Sequence, residues 1–484
     1  MAQAGMRTRL VVVARVIAAC LAATLVVLLI VMWSQSLRPG AYAVADLASD
    51  HSGGHPQSGS TVSITAFNTE ADRQADVVVE LTARRETVQI GDGEPFEGYT
   101  LNGSTPGPTI RAAEGQLVEV RLKNQDVPGG VTLHWHGVDV PAAMDGVAGV
   151  TQDAVVPGDN FTYRFVAEQV GTFWYHSHQI SHQQVIGGLF GVLILEPSEP
   201  DPVRDVVAAV HTYPDGIRSI GDAGAELHAR AEPGEHVRVR FVNTDNAPLA
   251  MWSATPFLIR AIDGNEIIAP TVVTDQRVLV TAGARLDVEV VMPEAAGVRL
   301  QVPGATVVLG AAPASAPQPA STVDLLGYGE PTPLTFDPER PNRTFRYDIG
   351  RMPGFIDGKP GLWWSVNGRI GDDVPLFIVS AGDVVRVSIT NASGEVHPMH
   401  LHGHHVLVLS HNGEPSTGSR WWVDSLNVEH GDTYEVVFVA DNPGIWMDHC
   451  HNLPHAAEGL IAHVAYEGVS TPFLLGHDTG NEPE

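Results

Sequence analysis

The chain has 484 residues, which is enough for about three domains of ordinary size. Hydrophobic residues make up 44% and charged residues 17%, and there are 49 glycines and 34 prolines. These values exclude a disordered, collagen-like or coiled-coil protein and favour short strands joined by turns. Lysine and arginine total 28 against 56 acidic residues, and the net charge of -28 excludes nucleic acid as a partner because little would neutralise its phosphates. Two cysteines exclude a disulfide scaffold, whereas the count of 22 histidines is unusually high.

The N-terminal segment has the composition of a membrane signal. Val16–Trp33 is an uncharged apolar run close to the length that crosses a bilayer. Three arginines precede it, Arg7, Arg9 and Arg15. This asymmetry predicts a cytoplasmic N-terminus, with the rest of the chain held outside as a single-pass cell-membrane protein. The small residues Ala41 and Ala43 leave cleavage of a signal peptide, and hence secretion, as the alternative.

A threefold repeat divides the rest of the chain. The pattern Gly-x-x-Val-x-Val-x-x-x-Asn begins at Gly115, Gly234 and Gly382. In each copy a turn glycine opens a strand of alternating apolar residues, which is typical of a half-buried antiparallel strand. Three copies more than 100 residues apart indicate three related β domains rather than a solenoid of short repeats.

The repeats and the polar stretches between them predict seven segments. They are a cytoplasmic tip and transmembrane anchor or signal (1–36), a polar linker (37–76), domain 1 (77–198), domain 2 (199–310), a linker (311–330), domain 3 (331–470) and a tail (471–484).

Histidine pairs recur in domains 1 and 3 at matched positions. Side chains alternate between the faces of a strand, so each His-x-His motif presents two imidazoles on one face, a natural metal half-site. Four such motifs at matched offsets make chance pairing or ordinary core packing a poor explanation. They are His134/His136, His176/His178, His400/His402 and His449/His451. The corresponding stretches of domain 2 contain no histidine, and we interpret that domain as a spacer without metal ligands.

The same alternation predicts a second site. Cys450 lies between two histidines and faces the opposite side of an extended strand. His397 is an odd number of positions from His400, so it also leaves that face, and His455 lies past the strand in a loop that can fold back. Cys450, His397 and His455 form the ligand combination of a mononuclear blue-copper centre.

Zinc is the alternative metal for this Cys/His/His set, but zinc sites are usually closed by a fourth ligand. Leu460 stands where an axial ligand would approach, and its side chain cannot coordinate. This position therefore favours copper and predicts a raised reduction potential. The peptide around Cys450 would also join this site to the histidine pairs, an arrangement suited to passing single electrons to a multi-metal cluster.

These motifs resemble the four copper motifs of the multicopper oxidases, in the three-domain bacterial laccase-like branch, over about residues 77–466. The resemblance implies an all-β fold of three Greek-key cupredoxin sandwiches, preceded here by one transmembrane helix, and four copper ions. Type 1 copper would be bound by His397, Cys450 and His455, type 2 copper by His134 and His400, and the type 3 pair by His136, His176, His178, His402, His449 and His451.

Two further acids bear on proton delivery. Asp145 matches the acid that in this family assists protons to reach bound oxygen; without the resemblance, a turn aspartate before glycine would be the better interpretation. Many bacterial members have glutamate directly after the last type 1 histidine, whereas this chain has Ala456. Glu458 lies two positions further on, so a second proton relay stays open.

Three functions were compared. The first is a laccase-like enzyme with Cys450 and His455 at the electron entry, oxidising phenols or aryl amines and reducing dioxygen to water. The second is a metallo-oxidase of Cu(I), Fe(II) or Mn(II), favoured by the acidic charge, although the nine methionines are scattered rather than clustered in domain 3. The third, a copper store or carrier, does not require the full set of ten histidines and one cysteine. We favour the first.

Overall fold

The computed structural model describes residues 2–47, 61–68, 73–199, 202–311 and 313–484, with side chains from residue 9 onward. Residues 48–60 and 69–72 of the predicted linker 37–76, and residue 312 of the linker 311–330, lie outside the described residues. The three α-helices of the described part are α1 (Ala2–Gln35), α2 (Ser181–Gln184) and α3 (Leu453–Ala457).

Helix α1 contains the predicted apolar run and continues to Gln35. An 18-residue window of its portion Arg9–Gln35 has a mean hydropathy of 2.8, and this portion is long and apolar enough to cross a membrane. At 1.5 Å per residue this portion is about 40 Å long, against a hydrocarbon core of about 30 Å. The expected N-terminal apolar helix is therefore present.

The strands fall into three successive groups. Those of the first are β1 (Val62–Ser63), β2 (Val77–Val88), β3 (Phe96–Leu101), β4 (Gly107–Ala113), β5 (Leu117–Asn124), β6 (His134–His136), β7 (Asn160–Val166), β8 (Gly171–His176) and β9 (Phe190–Glu196). Those of the second are β10 (Arg204–Thr212), β11 (Arg218–Ile220), β12 (Glu226–Ala229), β13 (His236–Asn243), β14 (Leu249–Ser253), β15 (Leu258–Ile262), β16 (Asn265–Glu266), β17 (Arg277–Val280), β18 (Arg285–Val291), β19 (Val298–Val302) and β20 (Ala305–Leu309). Those of the third are β21 (Arg343–Ile356), β22 (Lys359–Val366), β23 (Phe377–Val379), β24 (Val384–Asn391), β25 (His397–Leu401), β26 (Val406–His411), β27 (Glu414–Pro415), β28 (Trp422–Val423), β29 (Ser425–Val428), β30 (Thr433–Val439), β31 (Ile445–Cys450), β32 (Ile461–Tyr466) and β33 (Val469–Ser470).

Each group builds one sandwich of two sheets, apart from β1 and β33, which pair with each other in a separate parallel sheet. The sheets of the first sandwich have the orders β3-β2-β5-β7 and β4-β9-β8-β6. The second has β11-β10-β13-β18-β15-β16 and β12-β20-β19-β14-β17, and the third has β22-β21-β24-β30-β26-β27 and β23-β32-β31-β25-β29. The predicted all-β fold of three cupredoxin-like sandwiches is confirmed.

The repeated sequence pattern has the same structural role in every sandwich. It forms β5, β13 and β24, each of which runs parallel to the first long strand of its sheet and antiparallel to the next. The asparagine at its end is buried and donates its side-chain amide to backbone carbonyls of two separate loops. Asn124 bonds the carbonyls of Val127 and Val155, and Asn391 bonds those of Glu395 and Val428. The asparagine of the repeat therefore ties together two backbone segments that lie next to its strand.

The second sheet of each sandwich carries the strands that matter for function. Strands β6, β14 and β25 occupy equivalent places, each beside the equivalent strand β8, β19 or β31. Antiparallel register sets His134 opposite His176 and His400 opposite His449. Strand β14 has the sequence LAMWS at this place, so the second sandwich has the strand without its histidines.

Candidate metal centres

Nine buried donor groups meet where the first and third sandwiches face each other. Eight are the imidazoles of the four His-x-His motifs, and the ninth is the carboxylate of Asp145. Their donor atoms cluster in threes, each set lying within 4.8 Å: His134/His136/His400, His136/His176/His451, His178/His402/His449 and His134/Asp145/His402.

The pairs are divided between these groups rather than each serving one position. Of the last motif, His449 joins the group of His178 and His402, whereas His451 joins that of His136 and His176. The rings at positions 176 and 178, and those at 400 and 402, are divided in the same way. Alternation therefore brings both imidazoles of a motif to one face, but each of the four motifs contributes to two of the three groups made only of imidazoles.

Several ring nitrogens of this cluster have no hydrogen-bond partner among the described residues. Both nitrogens of His451 are buried without one, as are Nδ1 of His136, Nε2 of His176 and Nδ1 of His178. A buried polar atom without a partner costs about 1–3 kcal/mol, so the unpartnered nitrogens of His176 and His451, which belong to one group of three imidazoles, require an explanation. A metal ion would supply the missing partner.

The imidazoles are in the protonation state that metal binding needs. Burial and the neighbouring imidazoles lower the pKa of His176, His178, His402 and His451 well below the ordinary value, and burial lowers that of His449 to about 3. These rings are therefore neutral at physiological pH, with a lone pair on one nitrogen.

The spacing also suits a metal. Nε2 of His134 lies 3.3 Å from Nε2 of His400, and Nε2 of His449 lies 3.3 Å from Nε2 of His178 and 3.2 Å from that of His402. Two nitrogens bound to one metal at about 2.0 Å with a tetrahedral angle are about 3.3 Å apart. The residues present therefore fit bound metal ions.

Asp145 lies behind two of the rings. Its Oδ1 is 3.0 Å from Nδ1 of His134, and its Oδ2 is 3.0 Å from Nδ1 of His402. Nδ1 of each ring is the donor in these contacts when Nε2 is turned toward the cluster, so the carboxylate fixes the tautomer and orientation of both imidazoles. Asp145 is almost fully buried, which removes competition from water.

A second buried acid, which no motif in the sequence marks, supports the opposite side of the cluster. Oδ1 of Asp424 lies 3.0 Å from Nε2 of His136, and its backbone carbonyl lies 2.8 Å from Nδ1 of His400. Although burial opposes its ionisation, Arg285 and hydrogen bonds from His136 and His405 hold the pKa of Asp424 well below its ordinary value. An aspartate therefore holds two imidazoles on each side of the cluster, Asp145 through both carboxylate oxygens and Asp424 through one carboxylate oxygen and its backbone carbonyl.

The second sandwich also reaches this region. Arg285 is fully buried and donates through both Nη atoms to Asp424, with Nη1 2.6 Å from Oδ1. Asp263 accepts from the backbone N–H groups of Arg285 and Asp424. Gly283 adopts a φ of +84°, and a Cβ there would lie 2.8 Å from the His136 ring. Among the described residues the second sandwich holds no member of the metal groups, and it supports the cluster from outside through Arg285 and Gly283.

The second predicted site lies inside the third sandwich. Sγ of Cys450 is 3.6 Å from Nδ1 of His397 and 3.7 Å from Nδ1 of His455, and these two nitrogens are 3.2 Å apart. A metal that binds sulfur at about 2.3 Å and nitrogen at about 2.0 Å in a trigonal plane separates them by about 3.7 Å. His455 lies in the one-turn helix α3 rather than in the open loop expected from the sequence.

Burial shapes the chemistry of this Cys450 centre. It raises the pKa of the Cys450 thiol, lowers that of His455, and together with the neighbouring His455 lowers that of His397 to about 3. Both imidazoles are neutral, and only a bound cation would draw the proton from the thiol. Leu460 is fully buried beside them, its N–H donating to the His455 carbonyl and its carbonyl accepting from the Cys450 N–H.

Trp364 covers the Cys450 centre, although no spacing in the sequence marks it. Its ring centroid is 4.7 Å from that of His397 and 4.5 Å from that of His455. Its Nε1 donates to Oε2 of Glu458 at 2.9 Å, and the Arg351 guanidinium lies 4.0 Å above its ring. Glu458 therefore lies on this side of the third sandwich, against the Cys450 centre.

The two centres share strand β31 and its continuation. Cys450 faces the interior of the third sandwich, and the residues on either side of it belong to two different groups of the histidine cluster. The centres are thus joined by covalent bonds through a single residue.

Comparisons with known proteins agree with this arrangement. The family descriptions that match residues 82–200 and 336–468 both read multicopper oxidase. Multicopper oxidase MmcO of Mycobacterium tuberculosis is 26% identical, over 81% of this chain and 87% of its own. Laccase-1 of Botryotinia fuckeliana is 26% identical over 78% and 80%. The crystal structure of a multicopper oxidase from Pseudomonas thermotolerans, 27% identical, covers 81% of this chain and all of its own with a TM-score of 0.67.

Proposed function

Since this chain belongs to the multicopper oxidase family, we propose that it is a laccase-like oxidase that couples oxidation of phenols or aryl amines to reduction of dioxygen to water. The observation that carries this proposal is the position of Cys450 between two histidines of separate groups. Such a connection serves transfer of single electrons from one centre to the other. A storage protein would have no need of it.

The proposed cofactor is four copper ions, which supply reversible one-electron chemistry and oxygen binding. One would be held by His397, Cys450 and His455, where the donor atoms have trigonal spacing. A type 2 ion would be held by His134 and His400, and a type 3 pair by the two groups of three imidazoles.

The chain's own residues would divide the work as follows. His455 is the proposed electron entry, because it is the ligand of the Cys450 centre nearest the surface. Asp145 and Asp424 hold imidazoles in the tautomer that binds metal, and the buried surroundings keep bulk water from the cluster. Asp145, as an acid next to two ligands, is also the proposed source of protons for reduced oxygen.

Oxidation of metal ions is the second candidate function, and one contact favours it. Oε2 of Glu395 lies 3.4 Å from Nε2 of His455, so a carboxylate stands at the proposed electron entry. With a net charge of -28 the protein also attracts cations. Oxygen uptake with a phenol, an aryl diamine, Cu(I), Fe(II) and Mn(II), compared at equal enzyme concentration, tests the two functions. A kcat/KM highest for the aromatic donors supports the first, and one highest for a metal ion overturns it.

We further propose that helix α1 is retained as a membrane anchor with the sandwiches outside the cytoplasm. The segment after it is built into the third sandwich. Arg38 forms an ion pair of 2.9 Å with Asp372, Tyr42 exchanges two backbone hydrogen bonds with Leu475, and Val44 is fully buried. Cleavage after Ala43 would remove the first two of these interactions. Protein from the membrane fraction whose N-terminal sequence begins at Val44 would contradict retention.

A further inference from the structure

A cavity of about 470 Å³ lies beside the Cys450 centre, and we call it the hairpin cavity. It lies between the hairpin of β21 and β22, the segment that follows α1, the end of α3, strand β32 and the C-terminal segment 475–484, and it is open to solvent. Residues from the first four of these walls include Ile356, Trp363, Tyr42, Ala457, Glu458 and His463. Its volume is in the range of pockets that hold small organic molecules.

Two buried ring nitrogens of residues that line the cavity have no hydrogen-bond partner among the described residues. They are Nε2 of His463 and Nε1 of Trp363. His463 is 9% exposed, so water in the bulk does not satisfy it. Buried polar atoms are normally paired. Neither nitrogen exposes surface to the cavity in this structure, so a ligand oxygen would pair with one of them once its side chain turns toward the cavity.

The cavity reaches the Cys450 centre through one side chain. Glu458, on its wall, accepts the indole N–H of Trp364, and the Trp364 ring lies against both imidazoles of that centre. An aromatic donor that binds at Glu458 is therefore separated by the Trp364 ring from His397 and His455, two of the proposed copper ligands. The rest of the lining combines apolar side chains such as Val44, Ile461 and Leu475 with charged ones such as Arg38, Lys359 and Glu484, so it offers apolar surface to a substituted ring and polar partners to its oxygens.

The same cavity lies at the end of the apolar helix. The Ser36 carbonyl and hydroxyl accept the backbone N–H groups of Asp357 and Gly358, at the tip of the hairpin. From the pair Arg351 and Trp364, the hairpin continues for five further residue pairs toward that tip, or about 17 Å. Leu362 on this extension is 56% exposed. An apolar hairpin fixed to the end of a membrane helix lies at the bilayer surface.

We propose that the hairpin cavity binds an alkyl-substituted hydroquinone that reaches it from the lipid bilayer. This rests on the proposed function and names its substrate class. Each hydroquinone loses two electrons, one at a time, to the Cys450 centre, and it also loses two protons and becomes a quinone. The first proton goes to the Glu458 carboxylate, which releases it to solvent water, and the second goes directly to water in the open cavity. Two hydroquinones and one dioxygen thus give two quinones and two water molecules.

Equilibrium binding tests the cavity without any turnover. The probe is a decyl-substituted benzoquinone, the oxidised form, added to copper-loaded full-length protein in detergent, with binding read from quenching of tryptophan fluorescence. Ala457→Leu fills the cavity from an exposed position, so folding is preserved, and it should raise the Kd at least tenfold, or about 1.4 kcal/mol. The matched control Ala296→Leu is an exposed substitution on the second sandwich and should leave the Kd unchanged. Equal Kd values for wild type and Ala457→Leu would overturn the proposal.

A second measurement tests the route and separates the two proposals. In phosphatidylcholine vesicles, Leu362→Asp should raise the KM for decyl hydroquinone relative to wild type, and the two proteins should have equal KM values in detergent. Equal values in vesicles as well would overturn the bilayer route. Oxygen uptake by the wild type with ferrocyanide, which needs no cavity, reports the oxidase itself. Its absence would refute the proposed function, whatever the quinone Kd.

Discussion

At the scale of single residues, Cys450 has a conflict that only a metal resolves. Its thiol is fully buried, burial raises its pKa, and its two neighbours in space are neutral imidazoles. A structural cysteine in such a place would be inert. The three donor atoms have metal spacing, so Cys450 is instead positioned to become a thiolate when a cation arrives.

Replacing Cys450 by serine should therefore remove the metal at this centre. The blue charge-transfer absorption of a copper thiolate disappears, because a hydroxyl is a poor copper ligand. Copper content should fall by about one ion per chain, leaving the histidine cluster loaded. Absorbance and metal analysis on the same sample check this. Copper-loaded wild-type protein without the blue band would contradict the assignment.

We predict that Leu460 raises the reduction potential of the same centre. Leu460→Met would add a weak thioether ligand, stabilise Cu(II) and lower the potential. Turnover should fall most with donors that are hardest to oxidise. A redox titration followed through the blue band measures the change, with Leu460→Ile as the apolar control. A potential that is unchanged or higher in the methionine variant would mean that the side chain does not face the metal.

Asp145 orients two imidazoles, and we propose that it also delivers protons; one variant tests the second role. Asp145→Asn keeps the shape of the side chain but replaces one carboxylate oxygen by an N–H₂ group. That group faces a ring Nδ1 that is itself a donor, and the variant has no acidic group. We expect reoxidation by dioxygen to slow by about 100-fold or more, whereas reduction of the Cys450 centre by substrate changes little. Stopped-flow absorbance resolves the two half-reactions, and the exposed Asp159→Asn serves as the matched control. Equal slowing of both half-reactions would leave only a structural role.

At the scale of secondary-structure elements, β18 ties the second sandwich to the cluster. It begins at Arg285, whose guanidinium binds Asp424 with no exposure to solvent. Burial raises the pKa of the nearby Asp263 to about 7, with the Asp424 carboxylate adding to the effect. Two buried acids beside one arginine make that arginine the residue that keeps Asp424 ionised.

Replacing Arg285 should therefore lower copper binding by the histidine cluster, although Arg285 is not a member of it. Arg285→Ala leaves Asp424 buried without its cation, at a cost of about 3–5 kcal/mol in stability. Copper at the histidine cluster should fall, while the blue absorption of the Cys450 centre remains. Arg285→Lys should restore part of the copper, and the exposed Arg230→Ala should behave as wild type. Full copper content in Arg285→Ala would show that the contact has no part in the cluster.

The elements also show what could be predicted from the sequence. The His-x-His motifs are local patterns on strands, so their shared face, and the separation of Cys450 and His397 from it, follow from alternation alone. Asp424 meets Arg285 across 139 positions, and Trp364 meets Glu458 across 94. Such pairs depend on how the sandwiches stack, which no periodicity encodes. The contacts that the sequence did not reveal, Asp424 with Arg285 and Trp364 with Glu458, are both of this kind.

At the scale of the whole molecule, the buried imidazoles make stability depend on pH when copper is absent. Burial lowers the pKa of His449 and His397 to about 3, and an unfolded histidine titrates near 6.5. Between these values the unfolded chain binds more protons, so stability falls as pH falls.

We expect the thermal midpoint of the copper-free protein to be lower at pH 5 than at pH 7.5. The midpoint of the copper-loaded protein should fall less, because copper binds the folded protein and not the unfolded chain. Calorimetry at both pH values measures this. In the copper-free state, His451→Gln removes one such ring and should make the drop shallower. A copper-free midpoint that stays constant or rises on acidification would contradict the expectation.

The pairing of His134 with His400, and of His178 with His449, spans 266 and 271 positions of the chain. A growing chain that has made only the first sandwich holds two of the four motifs and lacks the partner of each. The metal site is therefore absent until synthesis is almost finished, and no truncated product can carry the oxygen chemistry. Copper insertion becomes the last step of maturation and, if the sandwiches mature beyond the membrane, takes its metal from the external supply.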